Sequence, residues 1–126
     1  MPTIELNGKN FDAVATKPGI VIVDFWAKWC GPCRTFAPVF ERASVKHADI
    51  TFGKVDTEAA PDLAGAFQIR SIPTLMVIKD GVAVYAQAGA LPPAALDSLI
   101  EQAKALDMDE VRRKIAEEQA KREVAA

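Results

Sequence analysis

An α/β fold, with a central mixed β-sheet covered by helices on both faces, is the class this sequence predicts. Three observations predict it. Apolar runs of strand length alternate with segments whose apolar residues recur at helical spacing. The run Ile20-Val21-Ile22-Val23-Asp24-Phe25-Trp26 shows almost no polar alternation, as expected of a strand covered on both faces. Late in the pattern, Asp80-Gly81 joins two strand-like runs with a favoured hairpin dipeptide, which makes the sheet mixed rather than all parallel.

Each element follows in order. Residues 3–6 form a short edge-strand candidate, and Asn7 or Asn10 is placed to cap a short helix over 11–14. Lys17-Pro18-Gly19 is a turn, and 20–27 is the buried strand. A helix is predicted over 32–47, with Phe36, Val39, Phe40 and Ala43 on one face. Pro32 suits its first turn, where a missing N–H costs nothing, and Pro38 should kink it. Residues 49–56 read as a strand through Ile50, Phe52 and Val55, and 57–67 as a helix opening on polar residues and Pro61. The hairpin strands are 74–79 and 82–88. Pro92-Pro93 opens a helix with Leu96, Leu99, Ile100 and Ala103 as its apolar positions. The order is β-α-β-α-β-α-β-β-α, with no internal repeat and no low-complexity linker.

A chain of 126 residues fits one domain, assigned to 1–106. With 50% hydrophobic and 25% charged residues it is a packed globule rather than a disordered chain. A formal charge of −2 argues against a nucleic-acid partner. No apolar run approaches the ~20 residues of a membrane span. The start, Met1-Pro2-Thr3-Ile4-Glu5, lacks a basic segment followed by an apolar one, so a reducing cytoplasm is the expected compartment. Residues 107–126 are a charged helical tail. Met108, Val111 and Ile115 make a narrow apolar stripe. Asp109–Arg113, Glu110–Lys114, Glu117–Lys121 and Glu118–Arg122 are acid-before-base pairs at i,i+4, each worth a few tenths of a kcal/mol. The favoured reading packs the first two turns of this tail on a monomeric domain; the alternative is tail-mediated association.

The chemistry concentrates in Trp29-Cys30-Gly31-Pro32-Cys33, which holds both cysteines of the chain at a strand-to-helix junction. A thiolate attacks a disulfide; a thiol does not. Cys30 sits just before a helix, where unpaired N–H groups and the macrodipole favour an anion, so its pKa should be lowered. Cys30 is therefore the nucleophile, placed at the exposed end of the junction, and Cys33, inside the first turn, is the shielded resolving thiol. Asp24, six residues before Cys30 and set among apolar neighbours, is the candidate proton acceptor for Cys33. Desolvation would raise its pKa toward neutrality. A buried charge needs a partner, and Lys54 on the adjacent strand is the candidate. The competing reading of Asp24 is a structural carboxylate. Zinc is not expected, because a structural site takes four ligands and the chain offers two cysteines and a distant His47, read as a surface residue.

The segment 23–34 resembles the active-site segment of thioredoxins. Lys54-Val55-Asp56 is similar to a strand of that family, Arg70-Ser71-Ile72-Pro73-Thr74-Leu75 to its substrate-binding loop, and Lys79-Asp80-Gly81 with Ala88-Gly89-Ala90 to its hairpin turn and following glycine. Together these cover about residues 3–106. The resemblance implies a thioredoxin fold and protein-disulfide reductase activity. It also implies disulfide-containing protein substrates and recharging by an NADPH-dependent flavoprotein thioredoxin reductase, with no cofactor bound to the chain itself. By the same resemblance Pro73 is a cis proline facing the sulfurs, and the Ile72 backbone pairs with the substrate chain. Trp29, Gly31, Ile72, Gly89 and Ala90 form an apolar docking rim. Trp26 is a wall near Asp24 and Cys33. Gly31 and Pro32 between the cysteines match reducing members, which favours an electron donor over an oxidase. Lys28 departs from the commonest pattern and bears on the potential near Cys30.

Overall fold

The computed structural model describes residues 2–125. Its elements are β1 (Thr3–Glu5), α1 (Phe11–Ala15), β2 (Ile20–Trp26), α2 (Gly31–Lys46), β3 (Thr51–Asp56), α3 (Pro61–Ala66), β4 (Thr74–Lys79), β5 (Val82–Ala88), α4 (Pro93–Ala105) and α5 (Met108–Ala125). The sheet order is β1-β3-β2-β4-β5. β3 pairs in parallel with both β1 and β2, whereas β4 runs antiparallel to β2 and β5. The sheet is mixed, as the hairpin turn requires.

Strand alternation divides the core into two. Ile22, Phe52, Leu75 and Val77 face α2 and α4, where they meet Phe36, Phe40, Leu96 and Ile100. Val21, Val23, Phe25, Val55 and Met76 face the other way, onto Phe11 and Val14 at the α1 side and Leu63 and Phe67 at the α3 side. Asp24 shares the parity of Ile22, so its side chain lies on the α2 face of β2.

Element ends differ from the sequence reading for local reasons. α2 begins at Gly31 because Cys30 is its N-cap. Residues before Pro61 form a turn rather than helix, since Asp56 Oδ1 accepts the Glu58 and Ala59 N–H groups at 3.0 and 3.3 Å. β3 starts at Thr51, after a turn in which Ile50 N–H donates to the His47 carbonyl at 3.0 Å. Asn10 occupies the N-cap of α1 but makes no cap bond from its side chain. Its Nδ2 donates to the Glu5 carbonyl at 2.9 Å, while Asn7 Oδ1 accepts from Lys9 N–H at 2.8 Å.

The C-terminal end of α4 is tied to the sheet. Lys79 Nζ donates to the carbonyls of Ala103, Lys104 and Leu106 at 2.8, 3.1 and 2.8 Å, satisfying groups the helix end leaves open. Asp107 Oδ1 then accepts the N–H groups of Asp109 and Glu110 and starts α5. Packing of α5 stops sooner than its stripe suggests. Met108 is buried and Val111 half-buried, but Ile115 is 40% exposed and everything from Arg112 to Val124 is exposed. Of the four expected pairs only Glu110–Lys114 closes, at 3.4 Å. Asp109 instead meets Arg112, Glu118 meets Lys121, and Arg113 lies between Glu110 and Glu117. On an exposed helix either spacing is worth little.

Candidate active site

The cysteine pair hangs between the end of β2 and the start of α2. Cys30 N–H donates to the Ala27 carbonyl at 3.2 Å, which turns the chain out of the sheet. Cys30 keeps an extended backbone, φ −82° and ψ 112°, as an N-cap does. Its Sγ accepts the Cys33 N–H at 3.2 Å, taking the place of the usual capping oxygen. In the dithiol form this sulfur faces an N–H donor and the positive end of α2, and both favour its thiolate. The two sulfurs are joined as the Cys30–Cys33 disulfide, with Cα atoms 5.2 Å apart, so the structure is that of the oxidised protein.

Exposure does not distinguish the two sulfurs. Cys30 is 4% and Cys33 2% accessible, which corrects the expectation that Cys30 lies exposed. The reason is a loop from elsewhere in the chain: the Ile72 carbonyl oxygen lies 3.7 Å from Cys30 Sγ and covers it. What separates the cysteines is position on the helix, since Cys30 caps it and Cys33 is inside it. The Ile72–Pro73 bond is cis. Pro73 is buried and Ile72 half-buried. Gly89 N–H donates to the Pro73 carbonyl at 2.8 Å from a backbone with φ +113°, a region L side chains avoid. Exposed Gly89 and Ala90 are thus brought to the Pro73 loop. Trp29, next to Cys30, is 65% exposed, and Gly31 and Pro32 are also exposed.

Asp24 is 1% exposed. Burial pushes its carboxyl up to about 7, with the Lys54 charge pulling the other way. Neither carboxylate oxygen has a hydrogen-bond partner among the described residues. Lys54 is therefore not the direct partner that was expected. It stands opposite Asp24 in the β2–β3 register, but its ammonium lies 4.7 Å from the centre of the Trp26 ring. Trp26, half-buried, serves here as a platform for Lys54, and both line a cleft of about 490 Å³ together with Lys28 and Asp56.

His47 is far from this site and is not a surface residue. It caps the C-terminal end of α2, whose 16 residues place it about 24 Å from the cysteines at 1.5 Å per residue. It is buried, with Nε2 3.0 Å from Asp97 Oδ1. Two further groups near the couple escaped the sequence reading. Arg34 donates to the Lys28 carbonyl at 3.3 Å, and Ala27 anchors Cys30. The first was legible as a cation one turn into the helix; the second is a backbone contact with no side-chain signal.

A helix-capping cysteine disulfide-bonded to a second, covered by a proline loop on a mixed five-stranded sheet, is the arrangement of a thiol–disulfide oxidoreductase. The family profile for thioredoxin matches residues 2–102. The chain is 58% identical to a protein described as putative thioredoxin 2 from Streptomyces coelicolor, over 94% of this chain and 88% of that one. It is 38% identical to thioredoxin from Bacillus subtilis, over 81% of this chain and 98% of that one. A solved structure of a mutant thioredoxin from Halobacterium salinarum superimposes with a TM-score of 0.76 at 33% identity, covering 83% of this chain and 93% of that one. The chain belongs to the thioredoxin family. It is a protein-disulfide reductase that works by dithiol–disulfide exchange through Cys30 and Cys33. Its substrates, like those of the family, are disulfide-containing proteins, and reductases are its partners in general. The match to the Streptomyces relative spans 118 of 126 residues and so runs into the 107–126 tail, beyond the family profile. Among the described residues no helix is long and apolar enough to cross a membrane.

Proposed function

We propose that Cys30 attacks, Cys33 resolves and Asp24 takes the proton. Cys30 thiolate attacks one sulfur of a substrate disulfide, joins it and releases the other substrate sulfur. Cys33 gives its proton to Asp24 and attacks Cys30 Sγ, releasing the second substrate sulfur. Two electrons pass to the substrate, and the Cys30–Cys33 disulfide remains. The observation that carries this reading is the Cys33 N–H donated to Cys30 Sγ at the head of α2, which stabilises negative charge on Cys30 alone. Asp24, poised near 7 on the same face of the sheet as α2, suits a base that must both accept and return a proton.

The docking rim is Trp29, Ile72, Pro73, Gly89 and Ala90, where an exposed aromatic stands beside the Ile72 backbone that would pair with an extended substrate. Gly31, Pro32, Trp26 and Lys54 tune the couple, the last through its charge near Asp24. An NADPH-dependent flavoprotein thioredoxin reductase recharges the disulfide, in the cytoplasm. Residues 1–106 are the exchanging domain, a monomer, and 107–126 an appended tail.

The reduction potential of the Cys30–Cys33 couple tests this direction of electron flow. The benchmark for thioredoxins is roughly −270 mV and for a strongly oxidising relative about −120 mV. A value near the first supports the donor. A value near the second means the dithiol form is stabilised, and the electron-donor and cytoplasmic assignments fall.

A further inference from the structure

We propose that the groove between the end of α3 and the β4–β5 hairpin is a specificity subsite: it holds the extended segment flanking the substrate's reactive cysteine and, through Arg70, favours an acidic residue there. The proposal rests on the reading of Ile72 and Pro73 as the docking loop and names the kind of substrate that loop prefers.

The groove has a volume of about 250 Å³. Met76 is its buried floor, half-buried Ile69 forms one wall, and exposed Ala86 and Ala88 form the other. The two alanines leave room above them for an apolar side chain. Among the described residues Arg70 is the only charged one lining it. It is exposed and makes no salt bridge or side-chain hydrogen bond among the described residues. Its guanidinium is thus uncommitted, with a carboxylate as its natural complement.

Continuity with the sulfurs says what fills the groove. Ser71 lines it, and the next residue, Ile72, carries the carbonyl 3.7 Å from Cys30 Sγ. Across the groove Ala88 lines it, and the next residue, Gly89, is hydrogen-bonded to Pro73. A chain joined to Cys30 has this groove directly alongside. An extended chain advances about 3.3 Å per residue with alternating side chains, so positions within a few residues of its cysteine reach it. β5 offers further support. It is the edge of the sheet, and Val82–Ala88 contains neither charge nor proline, the usual guards of an open edge. The row of N–H and C=O groups beside the groove is open to an added strand.

The experiment measures kcat/KM of the full-length protein on disulfide-linked peptides that differ at one position, set in turn at each of four residues on either side of the cysteine. That position is Glu, Gln or Lys. At one or more of these positions the unmodified protein is expected to prefer Glu over Lys by about three- to tenfold, shrinking with added salt, as expected of an exposed charge pair. Arg70→Gln should flatten the Glu-over-Lys preference and Arg70→Glu reverse it. A preference that survives Arg70→Glu unchanged, or that is absent at every position, overturns the subsite while reduction of the Gln peptides leaves the reductase reading standing. Failure to reduce the Gln peptides at all would overturn the docking reading beneath it. Exposed Arg70 tolerates both changes, and unchanged thermal unfolding of the variants serves as the control.

Discussion

Asp24 and Lys54 face each other across the parallel β2–β3 register, yet the ammonium of Lys54 rests over Trp26 and both carboxylate oxygens of Asp24 are left without a hydrogen bond. An ionised Asp24 is therefore a cost to the fold. Unfolded, its pKa returns to the ordinary 3.8; folded, it is about 7. Between these values the native state binds a proton that the unfolded state does not. Stability accordingly falls as pH rises from about 4 to 7 and then levels. At 1.36 kcal/mol per unit the loss amounts to roughly 4 kcal/mol at most. Asp24→Asn should remove it. Urea unfolding at pH 4 and pH 8 is expected to show the variant gaining stability relative to the parent only at the higher pH. An equal difference at both would mean that Asp24 is not buried as a charge.

The same substitution should slow exchange. General-base catalysis contributes roughly 10²- to 10⁴-fold, part of which water can recover, so a loss of about tenfold or more is expected near pH 7. The parent rate should rise through pH 7 as Asp24 ionises, and the variant should lack that inflection. A rate profile unchanged across pH 6 to 8 would return Asp24 to a purely structural role.

Cys33→Ser leaves the attacking sulfur in place and removes the resolving one. Mixed with a disulfide substrate, this variant should accumulate a one-to-one adduct through Cys30, visible by non-reducing mass spectrometry. Cys30→Ser should form none. An adduct on Cys33 in the second variant instead would reverse the assignment, and the capping bond from Cys33 N–H to Cys30 Sγ would no longer explain which thiol reacts.

Local chemistry was legible in the chain and long-range chemistry was not. Both hairpin strands fall at the bounds their Asp80-Gly81 turn implies, because the turn and the apolar runs are adjacent in sequence. Cys30 at a helix start and Asp24 in an apolar strand are likewise local facts. The cover over Cys30 comes from Ile72, 42 residues on; no spacing near the cysteines announces it, and only the family resemblance placed a cis Pro73 loop against the sulfurs. His47 looked like a helix-end surface residue because its partner, Asp97, is 50 residues away. Lys54 was placed on the correct strand, but whether its flexible chain reaches Asp24 or lies over Trp26 is decided by rotamers. The pairings along α5 are lost in the same way, since i+3 and i+4 neighbours compete for one carboxylate.

Gly53 is a position where packing demands the absence of a side chain. It sits on β3 between Ile4 and Val23, and a Cβ built there would come within 2.8 Å of Leu6 Cγ. Leu6 is only 2% exposed, so it has little room to withdraw. Gly53→Ala should destabilise the protein by about 1–3 kcal/mol, the usual range for overpacking. Combined with Leu6→Val the loss should be smaller than the sum of the two single changes, because the pair shares one space. Additive losses in denaturant unfolding would show that the strain lies elsewhere.

Removing residues 107–126 should separate the exchanging domain from its appendage. Leu106 remains in the shortened chain, so the three carbonyls held by Lys79 keep their donor and α4 keeps its end. What is lost is the burial of Met108 and part of Val111. Burying a side chain of methionine size contributes about 1.5–3 kcal/mol, offset by the entropy of ordering the helix. A net loss of about 1–2 kcal/mol is expected, or several degrees in Tm. The reduction potential and the kcat/KM for peptide disulfides should not change, because no residue of α5 lines the Cys30–Ile72 contact or the groove beside Arg70. A shortened chain that folds but exchanges slowly would place the tail in the reaction, and the division at 106 would fall with it.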